Sequence, residues 1–291
     1  MARSKLDAEA RAGMPNESFV ALADGVTHYE WGGPEDGPPV VLVHGFSSPM
    51  FIWDKNFAAL IEAGFHVLRY DLYGRGLSDR PRTRYTPDLF DRQLLALLDA
   101  HGVTGPVDIV GLSMGGAITM IFTDRHPERV GKIALIAPAG LGKPPGGAGL
   151  LKLPGVGEAL IAALGNRIIQ RTITEQSAGD PVALRVFEEE YARQLSYDGC
   201  RRALLSTLRH FPMAGLEGVF ERVGRQKRAG LLVWGTADTV VPYALHERVQ
   251  ALAPSLAFCP VDGAGHTVNY QKPDEVNRYL VESLKGRARQ V

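Results

Sequence analysis

Cysteine is scarce: the 291 residues contain two, Cys200 and Cys259, far apart in the chain. So few exclude a multi-bridge disulfide framework, and two thiols in a reducing compartment are expected over a single disulfide. Surplus charge is also missing, since 32 basic residues balance 32 acidic ones. A neutral balance argues against a polyanionic partner, so nucleic acid is not expected as a ligand. Long apolar runs are absent. A membrane span needs roughly 20 uninterrupted apolar residues, and the nearest approach, Leu150 to Ile169, is broken by Lys152, Pro154, Glu158 and Arg167. The N-terminus has charge but no apolar stretch behind it, from which a cytoplasmic location is expected. No group of His, Cys, Asp and Glu has metal-ligand spacing, so neither a metal nor an organic cofactor is anticipated.

What is present suits an ordinary globular protein. At 45% hydrophobic and 22% charged, the chain can bury a sizeable core. Its length fits one large α/β domain with an insertion, or two small domains. After a flexible, polar lead-in expected over residues 1–16, Ser18 to Ala23 and Val26 to Trp31 read as a hairpin turning at Asp24-Gly25. Val40 to Val43 is a short β-branched run suited to a strand buried on both faces. Further strands are predicted over His66 to Tyr70, Val107 to Val110 and Lys132 to Ala137. They alternate with helices over Asn56 to Ala63, Pro87 to Ala100 and Met114 to Arg125. This alternation predicts a mostly parallel α/β sheet flanked by helices. It stops over 141–216, where helical stretches appear without a convincing strand. It returns with strands at Leu231 to Trp234 and Leu256 to Val261. Helices are predicted over Glu217 to Gln226, Ala244 to Leu252 and Asp274 to Leu284. The reading is one core, 17–140 and 217–291, with a helical cap inserted at 141–216.

Chemistry concentrates at the ends of the predicted strands. Gly111-Leu112-Ser113-Met114-Gly115 is a G-x-S-x-G motif at a strand-to-helix junction, where two glycines make room for a sharp turn that exposes the serine hydroxyl. The turn sits at a helix N-terminus, whose unpaired N–H groups favour a developing oxyanion. The alternative is a glycine-rich turn whose serine merely caps the helix. A serine nucleophile needs a general base. Of eight histidines, His266 leaves the last core strand through the glycine loop Asp262-Gly-Ala-Gly265 and is the candidate. His28 and His66 lie in or beside strands, His101 and His126 at helix ends, and His246 within a charged, solvated helix. His210, in the insertion, could touch a ligand. The orienting acid is Asp238, just beyond a strand end, with Asp262 as a rival better suited to a turn. His44-Gly45 follows the Val40 to Val43 strand, which makes the backbone N–H groups of Phe46 and Met114 the candidate oxyanion hole, with His44 structural.

These pieces together resemble the α/β-hydrolase superfamily. The resemblance is carried by His44-Gly45, the Asp71 to Ser78 loop, Gly111 to Gly115, Gly235 to Asp238 with Val241-Pro242, and Gly265-His266, in that order. It spans about Glu17 to Leu284 apart from the cap, and implies the order Ser, Asp, His for the triad. In the family the Asp71 to Ser78 loop is mostly structural. Dehalogenases and epoxide hydrolases of this fold use aspartate where this chain has Ser113, which argues against those activities. Carbon–carbon bond hydrolases of ring cleavage share the serine motif, but usually follow the catalytic histidine with tryptophan and have a glycine-richer oxyanion loop. Thr267 and Phe46-Ser47-Ser48 favour a carboxylesterase or monoacylglycerol-lipase-like enzyme acting on a small-molecule ester. A ligand-binding or signalling protein on the same scaffold is the remaining alternative. Leu150, Leu151, Leu153, Val156, Leu160, Ile161, Leu164, Ile168 and Ile169 make the cap apolar, either to pack it onto the core or to line an acyl pocket.

Overall fold

The computed structural model describes residues 4–142, 149, 151, 153–177 and 180–286. Leu150 and most of the Gly/Pro stretch that opens the expected insertion lie outside these. The eight strands are β1 (Ser18–Leu22), β2 (Gly25–Gly32), β3 (Pro39–Val43), β4 (His66–Tyr70), β5 (Val107–Leu112), β6 (Val130–Ile136), β7 (Gly230–Gly235) and β8 (Leu256–Val261). They form one sheet in the order β1-β2-β4-β3-β5-β6-β7-β8. β1 and β2 pair antiparallel, as do β2 and β4, and every later pairing is parallel. The alternation of strand and helix read in the sequence is therefore the architecture of the core.

Side-chain alternation along the strands builds two cores. Val41, Val43, Ile109, Leu135, Leu232 and Trp234 face one side, whereas Val40, Leu42, Val110, Ile136, Leu231 and Val233 face the other. The first side is covered by α3 (Pro87–Ala100), α4 (Met114–Arg125), α8 (Glu217–Arg225) and α9 (Leu245–Leu252). The second is covered by α2 (Asp54–Glu62), α10 (Val268–Gln271) and α11 (Pro273–Leu284). Because both faces are sealed, the central strands carry continuous apolar sequence. Helix α4 is buried from Met114 to Thr123, as suits an element enclosed on all sides.

Between β6 and β7 the described chain is helical: α5 (Val156–Ser177), α6 (Pro181–Leu195) and α7 (Cys200–His210) precede α8. Pro181 starts α6 at a position where its missing N–H costs nothing, and the Asp180 side chain accepts from Val182 N. The polar lead-in is more structured than its composition suggests. It carries a short helix, α1 (Ala8–Ala12), capped by Asp7. It is tied down by an Arg11–Asp79 ion pair of 2.5 Å and a bridge between Ser4 and Tyr197. Partners this remote leave no local signal. Among the described residues no helix is long and apolar enough to cross a membrane, and Cys200 and Cys259 are both thiols.

Candidate active site

The site stands at the carboxyl edge of the parallel strands, where this topology opens a crevice. Ser113 links β5 to α4 with φ 55° and ψ −118°, a region that costs a non-glycine residue of order 1–3 kcal/mol. Its backbone is pinned from both sides: Ser113 N donates to Ile136 O and Ser113 O accepts from Ala139 N, each at 2.9 Å. The flanking glycines are required by contact. A Cβ on Gly111 would lie 2.5 Å from Gly115 O, and one on Gly115 would lie 2.1 Å from Val43 O. The end of β3 therefore rests directly on the elbow. Gly45 follows, at a distance where an added Cβ would meet Ser113 Cβ at 3.4 Å.

Asp238 lies beyond β7 and His266 beyond β8. His266 Nδ1 and Asp238 Oδ2 are 2.8 Å apart, and the carboxylate is fully buried behind the ring. The other oxygen, Oδ1, accepts from Val240 N and Val241 N at 2.9 and 3.0 Å. With Nδ1 donating to the carboxylate, Nε2 of the neutral ring is left to accept a proton. Asp262 is instead exposed and accepts from Thr236 Oγ1 at 3.1 Å, closing a turn.

Ser113 and His266 line one cavity of about 290 Å³, together with Gly45, Phe46, Leu112 and Val240. Met114 is the first residue of α4, so its N–H lies among the unpaired donors of that helix terminus. A second cavity of about 260 Å³ shares Phe46, Ser47 and Thr172 with the first. It is closed by Leu151, Ile161, Ile168, Ile169, Leu204 and Leu208. Four residues of the apolar block singled out above thus line a pocket, while Leu153, Val156 and Leu164 are largely exposed. Thr172, Gln176 and Tyr191 also belong to this region, and no motif in the sequence marks them.

Four further histidines are held by hydrogen bonds or ring stacking. His44 is fully buried. Its Nε2 accepts from Leu72 N at 2.9 Å and its Nδ1 donates to Gly45 O at 2.9 Å. Burial lowers its pKa to about 4, which keeps this bifunctional ring neutral. His28 is wedged between Asp71, at 2.7 Å, and Glu17, at 2.8 Å. Burial alone would lower its pKa, but the hydrogen bonds it donates to the Asp71 and Glu17 carboxylates prevail and raise it to about 9. Burial likewise disfavours the Asp71 carboxylate, and the His28 hydrogen bond more than compensates, holding it well below the usual range. Asp71 also accepts from Met50 N and Leu77 N, so the loop it heads is an internal brace. A cavity of about 190 Å³ beside this network contains neither Ser113 nor His266. His210 bonds Ser206 O within its own helix. His246, expected in solvent, instead stacks on Phe258 of β8 with ring centroids 4.4 Å apart.

A mostly parallel sheet covered on both faces, with a serine on a strained elbow at its carboxyl edge, is the α/β-hydrolase fold. Residues 40–279 match the profile of the Alpha/beta hydrolase family. The dihydrolipoyllysine-residue acetyltransferase component of the acetoin cleaving system of Pseudomonas putida is 30% identical over 261 residues, 88% of this chain. The chain spans just under two thirds, 66%, of that relative's length. The 2-hydroxy-6-oxo-6-phenylhexa-2,4-dienoate hydrolase of Comamonas testosteroni is 27% identical over 278 residues, covering 91% of this chain and 93% of that protein. Among solved structures, a thermophilic esterase from Thermogutta terrifontis superposes with a TM-score of 0.78 at 22% identity, over 94% of this chain and 99% of that one. The chain belongs to the alpha/beta hydrolase family.

Proposed function

We propose that this hydrolase cleaves carboxylic esters with an apolar acyl group through an acyl-enzyme on Ser113. The observation that carries the reading is a single cavity holding Ser113 and an Asp238-buttressed His266, continuous in its lining with an apolar chamber. In the first step Ser113 Oγ attacks the ester carbonyl while His266 Nε2 takes its proton. The tetrahedral oxyanion is held by Phe46 N–H and Met114 N–H, each worth about 3 kcal/mol to the transition state. Collapse expels the alcohol, which receives the proton from His266. Water activated by the same imidazole then releases the acid and restores the serine. Asp238 stabilises the imidazolium at both stages. The acyl chain runs past Phe46 and Thr172 into the apolar chamber, and residues 141–216 act as the cap over a core of 17–140 and 217–291. Neither metal nor organic cofactor takes part in this scheme.

A fluorophosphonate should label the wild type and not Ser113→Ala, with many turnovers of a short aryl ester by the wild type alone. Labelling without turnover would favour a binding or signalling role on the same scaffold. Activity that stays flat from acetate to decanoate would refute an apolar acyl site. The Comamonas relative supports one second reading, a carbon–carbon bond hydrolase. Bleaching of a yellow ring-cleavage dienoate faster than ester turnover would decide for it. The Pseudomonas relative motivates a product analysis with added alcohol, in which a transesterified product would indicate acyl transfer in place of hydrolysis.

A further inference from the structure

Three consecutive carbonyls in the turn after β3 are each held by a side chain. Gly45 O accepts from His44 Nδ1 at 2.9 Å, Phe46 O from Arg75 Nε at 2.8 Å, and Ser47 O from Gln194 Nε2 at 3.0 Å. The first two anchors belong to the core. The third comes from α6, in the insertion. Gln194 is 1% exposed, and its amide is oriented at both ends, because Oε1 accepts from Gly76 N at 3.3 Å. A second grip from the insertion lies beside it. Tyr191 OH is 2.7 Å from Ser47 Oγ and 3.2 Å from Ser48 Oγ, and Ser48 Oγ donates to Gln176 Oε1 at 2.9 Å. Gln176 in turn accepts at its backbone O from Thr267 Oγ1 at 3.0 Å, next to His266.

The Phe46 N–H belongs to the peptide whose carbonyl His44 holds, and its orientation depends on the two peptide planes that follow. An oxyanion donor works only if it is aimed before charge develops, since a plane that must rotate during reaction forfeits part of its stabilisation. We propose that Gln194 is a positioning residue for the oxyanion-binding turn, so that the insertion completes the catalytic centre as well as covering it. This inference rests on the ester-hydrolase reading with Phe46 as a donor.

The test uses the full chain and Gln194→Glu, which keeps an acceptor for Gly76 N and removes the donor to Ser47 O. Gln194→Met serves as a near-isosteric apolar control if the glutamate variant fails to fold. Active sites are counted by the end point of fluorophosphonate labelling, so that misfolded protein does not enter the rates. Per labelled site, kcat for an aryl acetate should fall about 10- to 100-fold, a fraction of what deletion of a donor costs, with KM nearly unchanged. Affinity for a trifluoromethyl ketone, which forms a tetrahedral adduct on Ser113, should fall by the same factor as kcat/KM. A kcat within twofold of wild type, or an effect confined to KM or to long acyl chains, overturns the inference while leaving the hydrolase reading intact. A wild type inert to both ester and label removes that reading and the inference with it.

Discussion

Raising the pH through the range in which His28 ionises is expected to weaken the fold. The ring is 3% exposed and bonded to Asp71 and Glu17, and its pKa stands at about 9 against an ordinary 6.5. Between those values the folded chain binds a proton that the unfolded chain has lost, so stability falls as pH rises. The contribution is complete below pH 6.5 and gone above about pH 9. A rise from 6.5 to about 9 corresponds to about 3 kcal/mol, a large share of the 5–15 kcal/mol typical of a domain. Guanidinium unfolding followed by tryptophan fluorescence at pH 6, 7.5, 9 and 10 measures it, with His28→Gln as the comparison. The midpoint of the wild type should drop across this series, whereas the variant should start lower and stay flatter. A wild-type stability constant from pH 6 to 10, or an equal decline in the variant, would refute the argument.

Other perturbations follow from the same contacts. Glu17 is held down to about 2 by its hydrogen bond to His28, against the opposing effect of burial, so its contribution is present above pH 4.5 and lost as pH falls through about 2. Acid titration of Glu17→Gln should therefore show a shallower loss of stability than the wild type. On the proposed mechanism, Asp238→Asn should keep the fold and lower kcat by on the order of 10³- to 10⁴-fold, because an amide would not stabilise the imidazolium; a loss below tenfold would refute the proposed role of Asp238. Gly115→Ala places a Cβ 2.1 Å from Val43 O and 2.6 Å from His44 O. It should cost about 2–3 kcal/mol by overpacking and reduce the labelled fraction, read from an unfolding curve and an active-site titration.

Much of the fold was legible because buried parallel strands are short apolar runs with helices between them. The boundaries of β4, α3 and β8 coincide with the sequence reading. β5 runs two residues further than expected. Gly111 and Leu112 look like loop in isolation, yet they pair with β3 and β6 through Val43↔Gly111 and Leu112↔Ile136. The residues around Ser113 were visible because a strained elbow demands glycine at fixed spacing, a constraint written locally. Contacts of long separation were not visible. His28 meets Asp71 across 43 residues, and Ser47 meets Gln194 across 147. Nothing in the helical pattern around Gln194 or Tyr191 tells which of its polar residues turn inward. The same blindness applies to His246, whose neighbours suggested solvent although Phe258 covers it.

Position 46 has a consequence for how such an enzyme can diversify. On the proposed assignment its amide serves the chemistry, while the residue forms part of the wall common to both chambers. Every amino acid except proline supplies that amide. Exchange of the ring can therefore widen, narrow or re-route the passage for the substrate while the reaction step keeps its apparatus. Selectivity and turnover are separable here within one residue, and natural variation at this site is free to explore the first without forfeiting the second.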